Sequence, residues 1–223
     1  MKLVLYSGGQ EPKNRFLHEA LLGLTGSGRT KRMTYVPFCS DGAEVYFNRF
    51  RKRYRQFGAT SFHCLPVDQA MQKADLRKAL QSDVIYLAGG NTYYFLKHLQ
   101  KNGLIPLLRK YAKEGGVLAG LSAGALILTP NIRLASIPKQ NADRNEVAIK
   151  NLSGLGLVKF EFSPHYTGIA QAKRELLQYS RRTENPIYAC RDGGGVVMDT
   201  GQERFEVFGK IDVFFRGGMH RLG

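Results

Sequence analysis

Cysteine is scarce. Three residues in 223, Cys39, Cys64 and Cys190, are too few and too scattered for a disulfide framework or a zinc knuckle, and buried thiols are expected. The five histidines never fall at metal-ligand spacing with one another, so neither a metal site nor a cofactor is expected. Long apolar runs are missing as well. None approaches the roughly 18 to 20 residues of a bilayer span, and the first, Leu3 to Tyr6, ends at Gly8-Gly9 without the core of a signal peptide. No membrane partner and a cytoplasmic location are the expectation. Acidic residues are the last shortage: 18 against 33 basic ones leave a net charge of +15, a field that attracts nucleic acid, anionic membranes or acidic substrates.

The densest cationic run is Arg49, Arg51, Lys52, Arg53 and Arg55, interleaved with Phe50 and Tyr54. With Tyr46 and Phe57 these aromatics recur at helical spacing, which reads as an amphipathic helix with its aromatic stripe in the core and its cations in water. A solvated face is preferred over a nucleic-acid site, since counterion-release binding needs only such a face. With 43% apolar and 23% charged residues the composition is ordinary and globular, and one domain over residues 1–223 is expected.

Short apolar strands alternate with helical stretches. Leu3 to Tyr6, Met33 to Pro37, Ser61 to Leu65, Val84 to Ala88, Val117 to Gly120 and Leu157 to Phe162 are brief, apolar and bounded by turn residues. Between them, Phe16, Leu17, Ala20, Leu21 and Leu24 make one apolar helical face after Pro12. Asp41 and Glu44 have capping-box spacing, and Gly58 suits a helical stop. Thr92 to Asn102, Ile105 to Glu114 and Ile169 to Arg181 are further helices. This rhythm predicts an α/β fold, a mostly parallel sheet with helices on both faces and functional groups at the carboxyl ends of the strands. Ile187 to Cys190, Val196 to Asp199, Arg204 to Phe208 and Ile211 to Phe215 follow too closely for helical crossovers and are expected as antiparallel or edge strands. Asn131 to Asn151 reads as a long loop, a length often functional in compact domains.

The sharpest local signal is Gly120-Leu121-Ser122-Ala123-Gly124, between an apolar strand and a helix-competent stretch. A serine at the tip of such a turn has a strained backbone, and its neighbours two residues away must be small for the chain to double back. The plainer alternative is a glycine-rich junction with an idle serine. A serine nucleophile needs a base, and His165 in Ser163-Pro164-His165-Tyr166 is the histidine at a strand's carboxyl end; His18 and His98 fall in helices, His63 inside a strand and His220 in the tail. The base needs a carboxylate. Asp192, after Ile187 to Cys190, stands at a strand end, though a turn-forming role before Gly193 to Gly195 competes, and Asp143, Glu146 and Glu161 lie between serine and histidine. Oxyanion donors are expected from the Ala123 N–H and from the turn Gly89-Gly90, after which Asn91 or Thr92 can cap a helix. Two matches are declined. Gly23 to Thr30 has phosphate-loop spacing but an arginine in place of the lysine, and it leaves a helix rather than entering one; Gly8-Gly9-Gln10 matches the tripeptide of translation release factors but needs no reading beyond a turn.

Ala88-Gly89-Gly90-Asn91-Thr92, Gly120 to Gly124, Ser163 to Tyr166 and Arg191-Asp192-Gly193 together resemble, in order and spacing, the serine peptidases that include aspartyl dipeptidase (peptidase E) and cyanophycinase. The resemblance implies a class I glutamine-amidotransferase-like, flavodoxin-like fold with Ser122 as nucleophile, His165 as base and Asp192 as acid. Aspartyl dipeptidases carry a Gly-Glu-Thr-Arg stretch after the histidine that is absent here, so strict specificity for an N-terminal aspartate is not expected. Asn91, Arg133 and Arg174 are the substrate-binding candidates, with Lys139 and Arg144 as further cations for a positive pocket. The expectation is a serine peptidase for short peptides, compatible with a homodimer. The alternatives are a serine hydrolase of another ester or amide bond, or a basic nucleic-acid-binding protein on a hydrolase scaffold.

Overall fold

The computed structural model describes residues 1–8, 12–26 and 30–222; Gly9, Gln10 and residues 27–29 of the two declined glycine motifs lie outside the described residues. In chain order the elements are β1 (Lys2–Tyr6), α1 (Arg15–Gly23), β2 (Lys31–Val36), α2 (Ala43–Arg55), β3 (Ala59–Cys64), α3 (Lys73–Leu80), β4 (Val84–Leu87), α4 (Thr92–Lys101), α5 (Leu104–Lys113), β5 (Val117–Leu121) and α6 (Ala123–Leu128). After a long connection come β6 (Glu161–Ser163), α7 (Ala170–Ser180), β7 (Ile187–Cys190), β8 (Gly195–Asp199), β9 (Arg204–Phe208), β10 (Ile211–Phe215) and β11 (Gly218–Leu222).

The strands form two sheets. The larger has the order β3-β2-β4-β5-β1-β8-β9, parallel from β3 to β1 and antiparallel where β8 and β9 join. Its strands β1, β4 and β5 are almost wholly buried, as their unbroken apolar sequences require of strands covered on both faces. The smaller sheet is β11-β10-β7-β6, and here the expectation needs correcting: β7 runs parallel to β6. The interval between these two strands is long enough to hold α7 as a crossover, whereas the later strands, joined by tight turns, do pair antiparallel. The α/β architecture therefore stands, with the base and the acid candidates on a different sheet from the serine.

Other local expectations shift for physical reasons. α2 starts at Ala43 behind Gly42 at φ 64°, so Asp41 and Glu44 form no capping box. Phe50 and Tyr54 are buried as their spacing predicts, but Tyr46 (51% exposed) and Phe16 (65% exposed) point to solvent. Leu157, Val158 and Phe160 are buried without being strand, and β6 is only three residues long. Within 131–151, two short 3-10 turns at Arg133–Ser136 and Lys139–Asn141 bury Leu134 and Ala135. Helix α3 and strand β11 have no clear sequence signal, since α3 buries only Ala79 and β11 is a polar edge.

The helix face covering β1 contains a polar knot. Tyr54 Oη lies 3.0 Å from His18 Nδ1 and 3.3 Å from Tyr6 Oη, and Tyr6 Oη donates to the Leu17 carbonyl at 3.0 Å. Burial, with Arg53 adding a like charge, lowers the His18 pKa to about 3. The unfolded chain binds a proton here near pH 6.5 that the folded chain refuses, so this contribution to stability is complete above pH 6.5 and is lost as pH falls toward 3, by up to about 1.4 kcal/mol per unit. We expect His18 ring resonances to show no protonation down to pH 5; an imidazolium there contradicts the knot.

Candidate active site

Gly120 and Gly124 dictate the turn between β5 and α6. A Cβ on Gly120 would overlap the Gly124 carbonyl and the Ala125 nitrogen, and one on Gly124 would overlap the Leu87 carbonyl. Only glycine on both sides lets the chain fold back so closely. Ser122, at the apex, is held at φ 50° and ψ −106°, a region costly for a residue with a Cβ. Its N–H donates to the Tyr6 carbonyl at 3.0 Å, and the Gly124 N–H donates to the Ala88 carbonyl at 3.1 Å. Between these two satisfied donors, the Ala123 N–H is the first of α6 and has no intrahelical acceptor.

The turn after β4 closes over the serine. Gly89 lies so near that a Cβ there would sit 3.5 Å from Ser122 Cβ. Gly90, at φ 143°, has the Phe38 ring where a side chain would be. Asn91 caps α4: its Oδ1 accepts from the Tyr94 N–H at 2.9 Å, and its Nδ2 donates to the Arg144 carbonyl at 3.0 Å.

From the other sheet, Pro164 carries the chain out of β6 into His165, which takes the left-handed φ of 56°. Three bonds hold it there: its N–H donates to Ser7 Oγ at 2.7 Å, its carbonyl accepts from Asn141 Nδ2 at 3.0 Å, and the next N–H, of Tyr166, donates to the Cys190 carbonyl at 3.0 Å. His165 Nε2 is 2.8 Å from Ser122 Oγ, and its Nδ1 is 2.7 Å from Asp192 Oδ1. With the ring proton on Nδ1, the imidazole donates to the carboxylate and accepts the serine hydroxyl proton. The histidine side chain is 35% exposed and that of Asp192 51% exposed, so the chain of bonds opens to solvent at its acid end.

The rival residues are engaged elsewhere. Glu161 accepts from Tyr179 Oη at 2.8 Å and from the Thr183 hydroxyl; His63 faces Asp75, His98 packs on the Tyr94 ring, and His220 is on β11. A cleft of about 190 Å³ opens beside Ser122 and His165, walled by Leu126, Leu134, Ala135, Ile137 and Pro138. Asp143 supplies its carboxylate, with Oδ2 accepting from the Thr92 N–H at 2.8 Å and the Thr92 hydroxyl at 2.5 Å. Among the described residues no lysine or arginine lines this cleft. Arg133 and Arg174 are exposed and stand outside it, Lys139 borders a separate surface pocket with Glu175, and Asn91 lines a neighbouring cavity; a positive pocket built from these groups is not what folding assembles. In the sequence Asp143 stands out only as an alternative acid, and Ser7 does not stand out at all, its one signal being its place at the end of β1.

The sequence pattern of peptidase family S51 matches residues 3–205. An uncharacterized peptidase of Pasteurella multocida is 30% identical over 151 residues, covering 67% of this chain and 72% of that protein. A peptidase E of Salmonella arizonae is 26% identical over 217 residues, covering 91% and 88%. Among solved structures, a peptidase from an acI-B1 actinobacterium superimposes with a TM-score of 0.68 at 17% identity over 99% of this chain and 93% of that one, a likeness of fold.

Proposed function

Because the chain belongs to peptidase family S51, and so is a peptidase, we propose that it cleaves short peptides by covalent serine catalysis at Ser122. Ser122 Oγ bonds to the scissile carbonyl carbon as its proton passes to His165 Nε2; the imidazolium gives that proton to the leaving amine, and the C–N bond breaks to leave an acyl-serine. Water then repeats the sequence and releases the acid. Asp192 holds the ring in the required tautomer, and the N–H groups of Ala123 and of the Gly89-Gly90 turn receive the oxyanion. The observation that carries this reading is the unbroken hydrogen-bonded series Ser122–His165–Asp192, at 2.8 and 2.7 Å, with the serine on a strained apex.

The cleft supports a substrate class. Its lining is mixed, with Thr92 and Asn141 beside Leu134, Ile137 and Pro138, its volume suits one side chain, and its only carboxylate among the described residues, Asp143, keeps Oδ1 free of the Thr92 bonds. A free peptide amino terminus satisfies that carboxylate, whereas an acidic first residue would meet repulsion with no cation to offset it. The reading is therefore a dipeptidase-like enzyme preferring a non-acidic N-terminal residue with its α-ammonium on Asp143. The test is twofold. A fluorophosphonate should add to Ser122, found by peptide mass mapping, and Leu-X dipeptides should outrun Asp-X and N-acetylated ones. Asp143→Asn should raise KM for free dipeptides about 10- to 100-fold, the worth of a charge-assisted hydrogen bond. No label on the native protein sinks the mechanism; equal turnover of acetylated and free substrates sinks the ammonium site.

A further inference from the structure

The serine and its two partners come from different sheets, and something must register one against the other. β1 lies beside the nucleophile strand β5, and its last carbonyl, at Tyr6, already accepts the Ser122 N–H. The next residue, Ser7, is completely buried. Its Oγ accepts the His165 N–H at 2.7 Å, and its single proton lies between the Cys190 carbonyl at 2.8 Å and Asp192 Oδ1 at 3.2 Å. The Ser7 N–H donates to the Gly194 carbonyl at 3.0 Å, beyond the acid. Gly8 completes the fixture, for a Cβ there would stand 2.5 Å from the Asp192 carboxyl carbon.

We propose that Ser7 is a positioning residue: one buried hydroxyl that ties the backbone of His165, the end of β7 and the carboxylate of Asp192 to the strand that also fixes Ser122. The proposal rests on the serine-catalysis reading and adds to it a device for aligning the two sheets. His165 sits at a positive φ that a non-glycine residue leaves when it can, and the bond from its N–H to Ser7 is one of three that keep it there. Without that acceptor the imidazole gains freedom at both ends. Ser7 is not among the residues lining the cleft beside Ser122 and His165, so its removal leaves that lining in place.

The experiment compares the native enzyme with Ser7→Ala and Gly8→Ala. Loss of alignment by a fraction of an ångström should lower kcat about 10- to 100-fold while KM stays within about threefold. In the ¹H NMR spectrum, the downfield Nδ1 proton of His165, assigned by its absence in His165→Ala, should broaden or move upfield in both variants. Gly8→Ala, which displaces the same carboxylate and leaves the hydroxyl in place, is the control for a shifted Asp192; should Ser7→Ala not fold, Ser7→Cys, which offers only a weak sulfur acceptor to the His165 N–H, decides the matter by the same two readouts. Turnover within twofold of native and an unmoved Nδ1 proton in a folded Ser7 variant overturn the proposal. If the native protein itself neither takes the fluorophosphonate nor cleaves peptides, the catalytic reading fails, and the Nδ1 resonance still judges Ser7.

Discussion

Ser122→Ala is expected to lower kcat by about four to six orders of magnitude, and adding His165→Ala to it should cost almost nothing more. The reason is that the two groups act on one bond-making event. Oγ at 2.8 Å from Nε2 is useful only because the imidazole can take its proton, and the imidazole, once the hydroxyl is gone, has no proton to accept. Independent contributions would multiply; a shared step does not. What remains in either variant comes from the donors at Ala123 and the Gly89-Gly90 turn and from binding in the cleft. A second, opposite effect should accompany the loss. Ser122 is strained at its apex position, with φ 50° and ψ −106°, so Ser122→Gly should unfold at a higher temperature than the native protein while being just as inactive, by about 1 kcal/mol or more of relieved strain. Steady-state kinetics on one dipeptide, with thermal melts of the same preparations, checks both halves. Multiplicative losses in the double variant would mean that serine and histidine serve different steps.

Much of this was legible in the chain because each part obeys a short-range rule. The α/β rhythm follows from brief apolar runs between amphipathic helices, and the elbow follows from two glycines flanking a serine at spacing two. His165 and Asp192 could be found as residues that end strands, even though β6 and β7 turn out to form a separate sheet with β10 and β11. What the sequence could not convey were contacts between distant segments. Nothing near Ser7 announces that its hydroxyl will meet His165, 158 positions later. The cleft's charge misled for the same reason: a chain with a net charge of +15 suggests a cationic pocket, yet Arg133 and Arg174 fold outward while Asp143 is drawn in by the α4 amino terminus at Thr92. Bulk charge describes the surface, and a helix terminus decides what stands in the site.

Gly124→Ala and Gly120→Ala should each destabilise the fold by about 3 kcal/mol or more, while Gly23→Ala, the same change elsewhere, should stabilise it slightly. At 120 and 124 the added methyl meets backbone: the Gly124 carbonyl and Ala125 nitrogen in one case, the Leu87 carbonyl in the other. Backbone atoms cannot rotate out of the way as a side chain can. Relief requires β4 or α6 to shift, and both are packed in the main core through Leu87, Leu126, Ile127 and Leu128. Overpacking of that kind costs about 1–3 kcal/mol where side chains can adjust and more where they cannot. Gly23, by contrast, ends α1 with nothing within 4 Å of the place a methyl would take, so alanine there only restricts the unfolded chain, a gain of about 0.5–1 kcal/mol. Urea unfolding with linear extrapolation resolves differences of this size. The sign contrast separates a steric demand of the elbow from any general intolerance of glycine replacement. Gly124→Ala with native stability would mean that the close approach of β4 to α6 is not what holds Ser122 at the apex, and the strained serine would need another cause.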